Sequence, residues 1–243
     1  MFALLVKEIK SFLSSLIGYI AIAVFLILTG LFLWVFPGDF NVLDGAYAEL
    51  TSLFVIAPWV FMFLIPAITM RSFSEEKRTG TIELLYTRPI SDLQIVLAKL
   101  LAGVVLVVLA LIPTLIYVYT VHQLGNPVGN LDMGGTWGSY IGLLFLAAGF
   151  VSIGIFASSL TENQVIAFII AVFLCFFVFI GFESISSFSL MGALDSVVIK
   201  LGIFEHYSSM SRGVIDTRDV VYFLALITIF VLLTKTVLQS RKW

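Results

Sequence analysis

Residues able to do chemistry are sparse in this chain, and many of them stand together. Between Arg71 and Lys99 lie nine of its 13 basic and 15 acidic side chains: Arg71, Glu75, Glu76, Lys77, Arg78, Glu83, Arg88, Asp92 and Lys99. Carboxylates beside cationic groups can serve acid–base catalysis, hold a metal with histidine or cysteine, or present charge to a partner. The first two uses need companions. The two histidines, His122 and His206, are far apart in sequence, and no H-E-x-x-H occurs. E-E-K-R-T-G (75–80) begins like the E-E-x-x-x-R of intramembrane proteolysis, but Gly80 stands at the arginine position. The glycine-rich stretch 125–138 has no lysine and cannot be a G-x-x-x-x-G-K-[ST] phosphate loop. Cys175, the one cysteine, sits in an apolar run and reads as a packing residue. Docking is the use that remains.

The elements that must position this island are hydrophobic. Sixty per cent of residues are hydrophobic, 12% are charged, and the mean hydropathy is +1.13. Such a chain is an all-α integral membrane protein. A spanning helix needs roughly 20 mostly apolar residues, and six windows qualify: about 16–36, 51–70, 100–121, 139–160, 165–182 and 220–238. Ahead of them, Phe2, Leu5, Val6, Ile9, Phe12, Leu13 and Leu16 recur at helical spacing, with Lys7, Glu8, Lys10 and Ser11 on the other face. That pattern predicts an amphipathic helix in the membrane interface, followed by an uncleaved first span. S-D-L-Q (91–94) and T-E-N-Q (161–164) both fit a capping box, and the second joins spans four and five as a hairpin. Pro58, Pro66 and Pro113 fall inside spans two and three, as bends satisfied by neighbouring helices. Gly138-x-x-x-Gly142 and Ala148-x-x-x-Ser152 predict close helix packing within the chain.

Orientation follows from the basic residues. Lys7, Lys10, Arg71, Lys77, Arg78, Arg88, Lys99, Lys235, Arg241 and Lys242 fall on one side, against Lys200, Arg212 and Arg218 on the other. The richer side is the cytoplasm, which places both termini and the charged island there. No ionisable residue lies near the middle of the first five spans, and Lys235 can snorkel from the last. Ion-coupled transporters carry intramembrane charge, so any energy for transport must come from a partner.

G-T-I-E-L-L-Y-T-R-P (80–89) reads as a short helix offered to such a partner. Gly80 permits a sharp turn, Thr81 can cap, Glu83 complements the helix dipole, and Pro89 ends it. Ile82, Leu84, Leu85 and Tyr86 suit a groove in another protein, rimmed by Glu75, Glu76, Lys77, Arg78 and Arg88. The stretch E-E-K-R-T-G-T-I-E-L-L-Y-T-R-P-I-S-D-L-Q-I-V-L-A-K-L-L-A resembles the signature of ABC-2 type permeases, the membrane subunits of ATP-driven exporters. F-E-H-Y-S-S-M-S-R-G-V-I-D-T-R-D-V-V-Y-F-L (204–224) resembles the segment leading into that family's last span, so the likeness covers nearly all of residues 1–243 as one transmembrane domain. Within the family, the length and wording are most similar to the gliding-motility-associated permease subunit of Bacteroidota.

The resemblance implies a multi-pass protein of a bacterial inner membrane. Its loop 71–99 would carry a cytoplasmic coupling helix contacting a separate ABC ATPase, present in two copies. ATP and Mg would be handled by that partner, with no cofactor bound directly and no catalysis by this chain. A second permease chain, identical or a companion with a large extracytoplasmic region, would complete the exporter within membrane lipid; nucleic acid has no place in it. The segment 183–219 would form re-entrant outer helices, with Gly202, His206, Arg212, Gly213 and Asp216 as candidate gate residues; a surface-lying subdomain is the alternative. Two other functions stay open, a self-sufficient lipid scramblase or facilitator and a non-transporting scaffold. The charge asymmetry makes one expectation direct. Single cysteines placed near Glu76 or Arg241 should be shielded from an impermeant thiol reagent in whole cells, and one near Asp132 should label. External labelling at position 76 would invert the orientation.

Overall fold

A computed structural model describes residues 1–45, 47–87, 89–187 and 195–240, all helices and connections. Helix α1 (Phe2–Leu13) is followed by α2 (Leu16–Trp34), which starts where the Ser15 hydroxyl accepts the Gly18 N–H. The two axes differ by 67°. Helix α3 (Thr51–Thr69) passes through Met70 into α4 (Arg71–Arg78), and the two are continuous over Thr51–Arg78. Pro58 and Pro66 lie inside α3 without ending it. After the short α5 (Ile82–Tyr86), α6 (Asp92–Leu111) begins at the capping box formed by Ser91 and Gln94, as the sequence predicts. Pro113 sits in a 3₁₀ turn, Ile112–Thr114, that leads into α7 (Leu115–Leu124). Helix α8 (Met133–Leu160) is capped by Asp132.

T-E-N-Q differs in detail from expectation. Asn163, not Thr161, caps α9 (Gln164–Phe176) by accepting from Val165 and Ile166; the Thr161 hydroxyl accepts from Asn163 N–H. Asparagine is a better cap than threonine, and it stands two residues nearer the helix. Helix α9 continues through a π turn, Phe177–Gly181, into α10 (Phe182–Ser187), so the fifth apolar rod runs to Ser186 rather than ending near residue 182. Short helices α11 (Asp195–Ile199) and α12 (Ile203–Met210) precede α13 (Thr217–Gln239).

Among the described residues, five helices are long and apolar enough to cross a membrane: Thr51–Arg78, Asp92–Leu124, Met133–Leu160, Gln164–Ser186 and Thr217–Gln239. A sixth is counted if the bent pair α1–α2 is one span. The chain is therefore an all-α, multi-pass membrane bundle. Ile169 and Phe173 on α9 and Val221, Leu224 and Ile229 on α13 are exposed, as hydrocarbon solvent permits.

Helix α8 is the centre. Its glycines let neighbours approach to backbone distance. A Cβ on Gly138 would overlap the Gly213 carbonyl, one on Gly142 would meet Met210 of α12, and one on Gly154 would overlap the Thr69 hydroxyl of α3. The small-residue pattern thus serves packing within the chain. Gly213 itself has φ +83°, and its own Cβ would overlap Gly135. The sequence reading makes Gly213 a candidate gate residue; in the structure it is wedged against α8. Gly213→Val should therefore lower the melting temperature and yield of the detergent-purified protein. A variant that melts like the parent but has lost function would favour the gate role.

Candidate functional site

Lys99 is two turns into α6, beyond the capping box and among apolar neighbours. Its side chain is fully buried, so its charge must be met within the protein. Four groups meet it. Its Nζ donates to Glu8 of α1 at 3.0 Å and to the Ser72 carbonyl of α4 at 2.6 Å. It lies 3.0 Å from Glu76 Oε2 in a contact that is ionic rather than hydrogen-bonded, and 5.0 Å from the centre of the Phe73 ring. Lys7 adds the outer layer, at 3.0 Å from Glu76 and 3.7 Å from Glu8. Two lysines and two glutamates from three helices thus make a neutral knot.

A second fastening holds the same α4 to α8. The Ser158 hydroxyl donates to the Met70 carbonyl and accepts from Phe73 and Ser74 N–H at 2.9 and 3.1 Å. It satisfies the backbone where α3 passes into α4. Lys77 donates to the Ser159 carbonyl in the last turn of α8, where a cation also complements the helix dipole.

These contacts sort the island differently from its sequence reading. Glu76 and Lys77 are not a rim facing a partner; they are buried and turned into the bundle. Glu75 is half-buried beside the knot. Of the apolar residues assigned outward, Ile82 is buried and Leu85 packs against the core. Leu84 is 65% exposed, and Arg78, Gly80, Thr81, Glu83 and Pro89 are exposed with it. Gly80 makes the expected sharp turn, with φ +70°. Thr81 does not cap α5, because its hydroxyl turns back to the Glu76 carbonyl and Thr79. Helix α5 ends at Tyr86, before Pro89, and Arg88 lies outside the described residues.

The exposed strip continues sideways. Arg78 and Glu162–Val165 of the α8–α9 turn share an open depression of about 340 Å³. Sequence reasoning missed Lys7, Glu8 and Ser158. A lysine inside the apolar run I-V-L-A-K-L-L-A, and a carboxylate on the first helix, were the available signals.

At the opposite end, the residues assigned to a gate separate into fixed contacts. His206 of α12 places Nδ1 2.7 Å from Asp219 of α13 and Nε2 3.0 Å from the Lys200 carbonyl. Its ring stacks on Tyr222 with centres 4.0 Å apart. Asp216 caps α13, and the Arg218 backbone N–H that it accepts holds its pKa below the usual carboxylate range. Arg212 donates to the Ser208 carbonyl, and Gly202 precedes α12 at an ordinary φ of −80°. Tyr207 fastens α12 to the start of α3 through the Phe54 carbonyl, at 2.7 Å.

Apolar helices packed around α8, with a charged loop knotted to the core at one end, make a membrane-embedded helical bundle. Residues 35–203 match the sequence profile described as ABC-2 family transporter protein, and the chain belongs to that family. No curated protein sequence matches it.

The knot makes a quantitative expectation. Removing one partner of a buried ion pair costs about 3–5 kcal/mol, whereas replacing all partners together is close to neutral. Lys99→Met should lower thermal stability strongly, and Lys99→Met with Glu8→Gln and Glu76→Gln should recover most of the loss. Equal melting of the single and triple variants would mean that the charges are not coupled.

Proposed function

We propose that this chain is the permease subunit of an ATP-driven exporter in a bacterial inner membrane. Its charged end faces the cytoplasm, and α5 is the coupling helix for a separate ABC ATPase. One observation carries this reading. Helix α5 holds Leu84 out to solvent next to the exposed Glu83, while Ile82 on its other side is buried. An exposed leucine beside an exposed carboxylate suits a groove in a partner. The loop that bears it is fastened to α1, α3, α6 and α8 through Lys99, Glu76, Lys77 and Ser158. A push on α5 would therefore reach the helices directly.

Family membership supports an ATPase partner in two copies and a second permease chain, identical or a companion. ATP and Mg belong to the ATPase in this reading. The wording of residues 75–102 and 204–224 supports the narrower assignment to a gliding-motility-associated system, with cargo left to transport assays. The outer helices α10–α12 are assigned to closing the far side of the pathway. There His206 and Asp219 tie α12 to the last span, so the closing element moves as a unit with α13.

Leu84→Asp alone should abolish co-purification of the ATPase while leaving membrane insertion and melting unchanged. Charge buried at the contact would cost several kcal/mol, and each 1.4 kcal/mol is about tenfold in affinity. Full ATPase binding by Leu84→Asp would place the contact elsewhere. An ATPase-free complex with undiminished lipid transport would favour the scramblase.

A further inference from the structure

Beside the ion knot is a cavity of about 240 Å³ bounded by α1, α4 and α6. It straddles the level at which the helices change character. Above it α3 and α6 turn apolar, and Ile68, Gly103 and Leu106 line that side; Lys7, Arg71 and Glu75 line the other. A pocket that is greasy at one end and charged at the other lies where a membrane has its headgroups.

Its charges do not cancel in place. Lys7, Lys99, Glu8 and Glu76 neutralise one another, as described above. Arg71 and Glu75 remain. They stand four residues apart on α4, the spacing at which arginine and a carboxylate ordinarily pair. Among the described residues neither makes an ion pair, although Arg71 Nε is buried with no hydrogen-bond partner. A buried guanidinium nitrogen without an acceptor is costly. A ligand that brings an anion to Arg71 and a cation to Glu75 would satisfy both groups. The Ser11 hydroxyl lines the same cavity and can donate to an anion, whereas the Ser15 hydroxyl beside it is committed to the Phe12 carbonyl.

We infer that this cavity binds the headgroup of a zwitterionic phospholipid, with the phosphate on Arg71 and a primary ammonium on Glu75. Thr81 is the one lining residue that the cavity shares with the exposed strip at α5, and Arg71 and Glu75 lie outside that strip, so lipid can be tested with no ATPase attached. Guanidinium suits phosphate because its fork of donors matches two oxygens at once. A primary ammonium offers three donors to the carboxylate, which a quaternary choline lacks. The acyl chains would leave along Leu106 and Ile68 toward the hydrocarbon.

The test is native mass spectrometry of the full-length protein in micelles containing equal amounts of dioleoyl-phosphatidylethanolamine and dioleoyl-phosphatidylglycerol. Wild type should retain the ethanolamine lipid about tenfold better, the equivalent of one charge-assisted contact. Arg71→Gln should lower retention of both lipids. Glu75→Gln should lower only the ethanolamine lipid, bringing it level with the glycerol lipid. That selective loss distinguishes a binding role from a folding one. If Arg71→Gln does not fold, Arg71→Lys keeps the charge and should retain the lipid more weakly with the same headgroup preference. Equal retention of the two lipids by wild type would overturn the proposal. So would displacement of the lipid by soluble phosphoethanolamine at matched concentration, which would assign the cavity to a free phosphate compound.

Discussion

One buried ammonium group organises the charged end of this protein. Lys99 has no access to water, and α6 offers it no acceptor, so its position can be tolerated only if other elements come to it. Glu8 comes from the first helix and Glu76 from the fourth, and the carbonyl of Ser72 completes the shell. The amphipathic pattern of α1 would let it lie anywhere in a membrane surface. Glu8 anchors it to one place, across the charged end of α6. The contacts that offset the desolvation cost of Lys99 thus also fix the relative positions of three segments far apart in the chain. Buried ion clusters are poor sources of net stability but good sources of geometric definition.

The opposite requirement governs α8. Here closeness comes from what is absent. Gly138, Gly142 and Gly154 remove the side chains that would hold α12, the turn before α13, and α3 at ordinary spacing. Serines on the same helix then bond directly to those neighbours: Ser139 to the Ser211 carbonyl at 2.8 Å and Ser158 to the backbone at the α3–α4 junction. Without a hydrophobic drive between helices in lipid, such contacts supply much of the association.

Much of this was legible in the sequence, for identifiable reasons. Hydropathy is a one-dimensional property, so the apolar rods, the Ser91–Gln94 box and the short helix after Gly80 could all be read locally. The T-E-N-Q hairpin followed from length alone. The knot could not be read, because Glu8 and Lys99 are 91 positions apart and each looks like an ordinary interfacial charge. The same blindness placed Glu76 and Lys77 on a rim. Local pattern marks a residue as charged, but only tertiary structure decides which way it turns. His206 illustrates the limit: its sequence position suggested a gate, and its partner Asp219 emerged only from the packing of α12 on α13.

The continuity of α3 and α4 has a mechanical consequence. Twenty-eight residues without a break make a rod about 40 Å long, gripped near one end by Ser158 and Lys99 and near the other by Tyr207 on the Phe54 carbonyl. Such a rod is a lever. A tilt of roughly 5° over that length swings the far end by about 3.5 Å, more than the length of the hydrogen bond that Tyr207 makes there. A movement too small to disturb packing at the charged loop is therefore large enough at the other face to exchange one set of contacts for another.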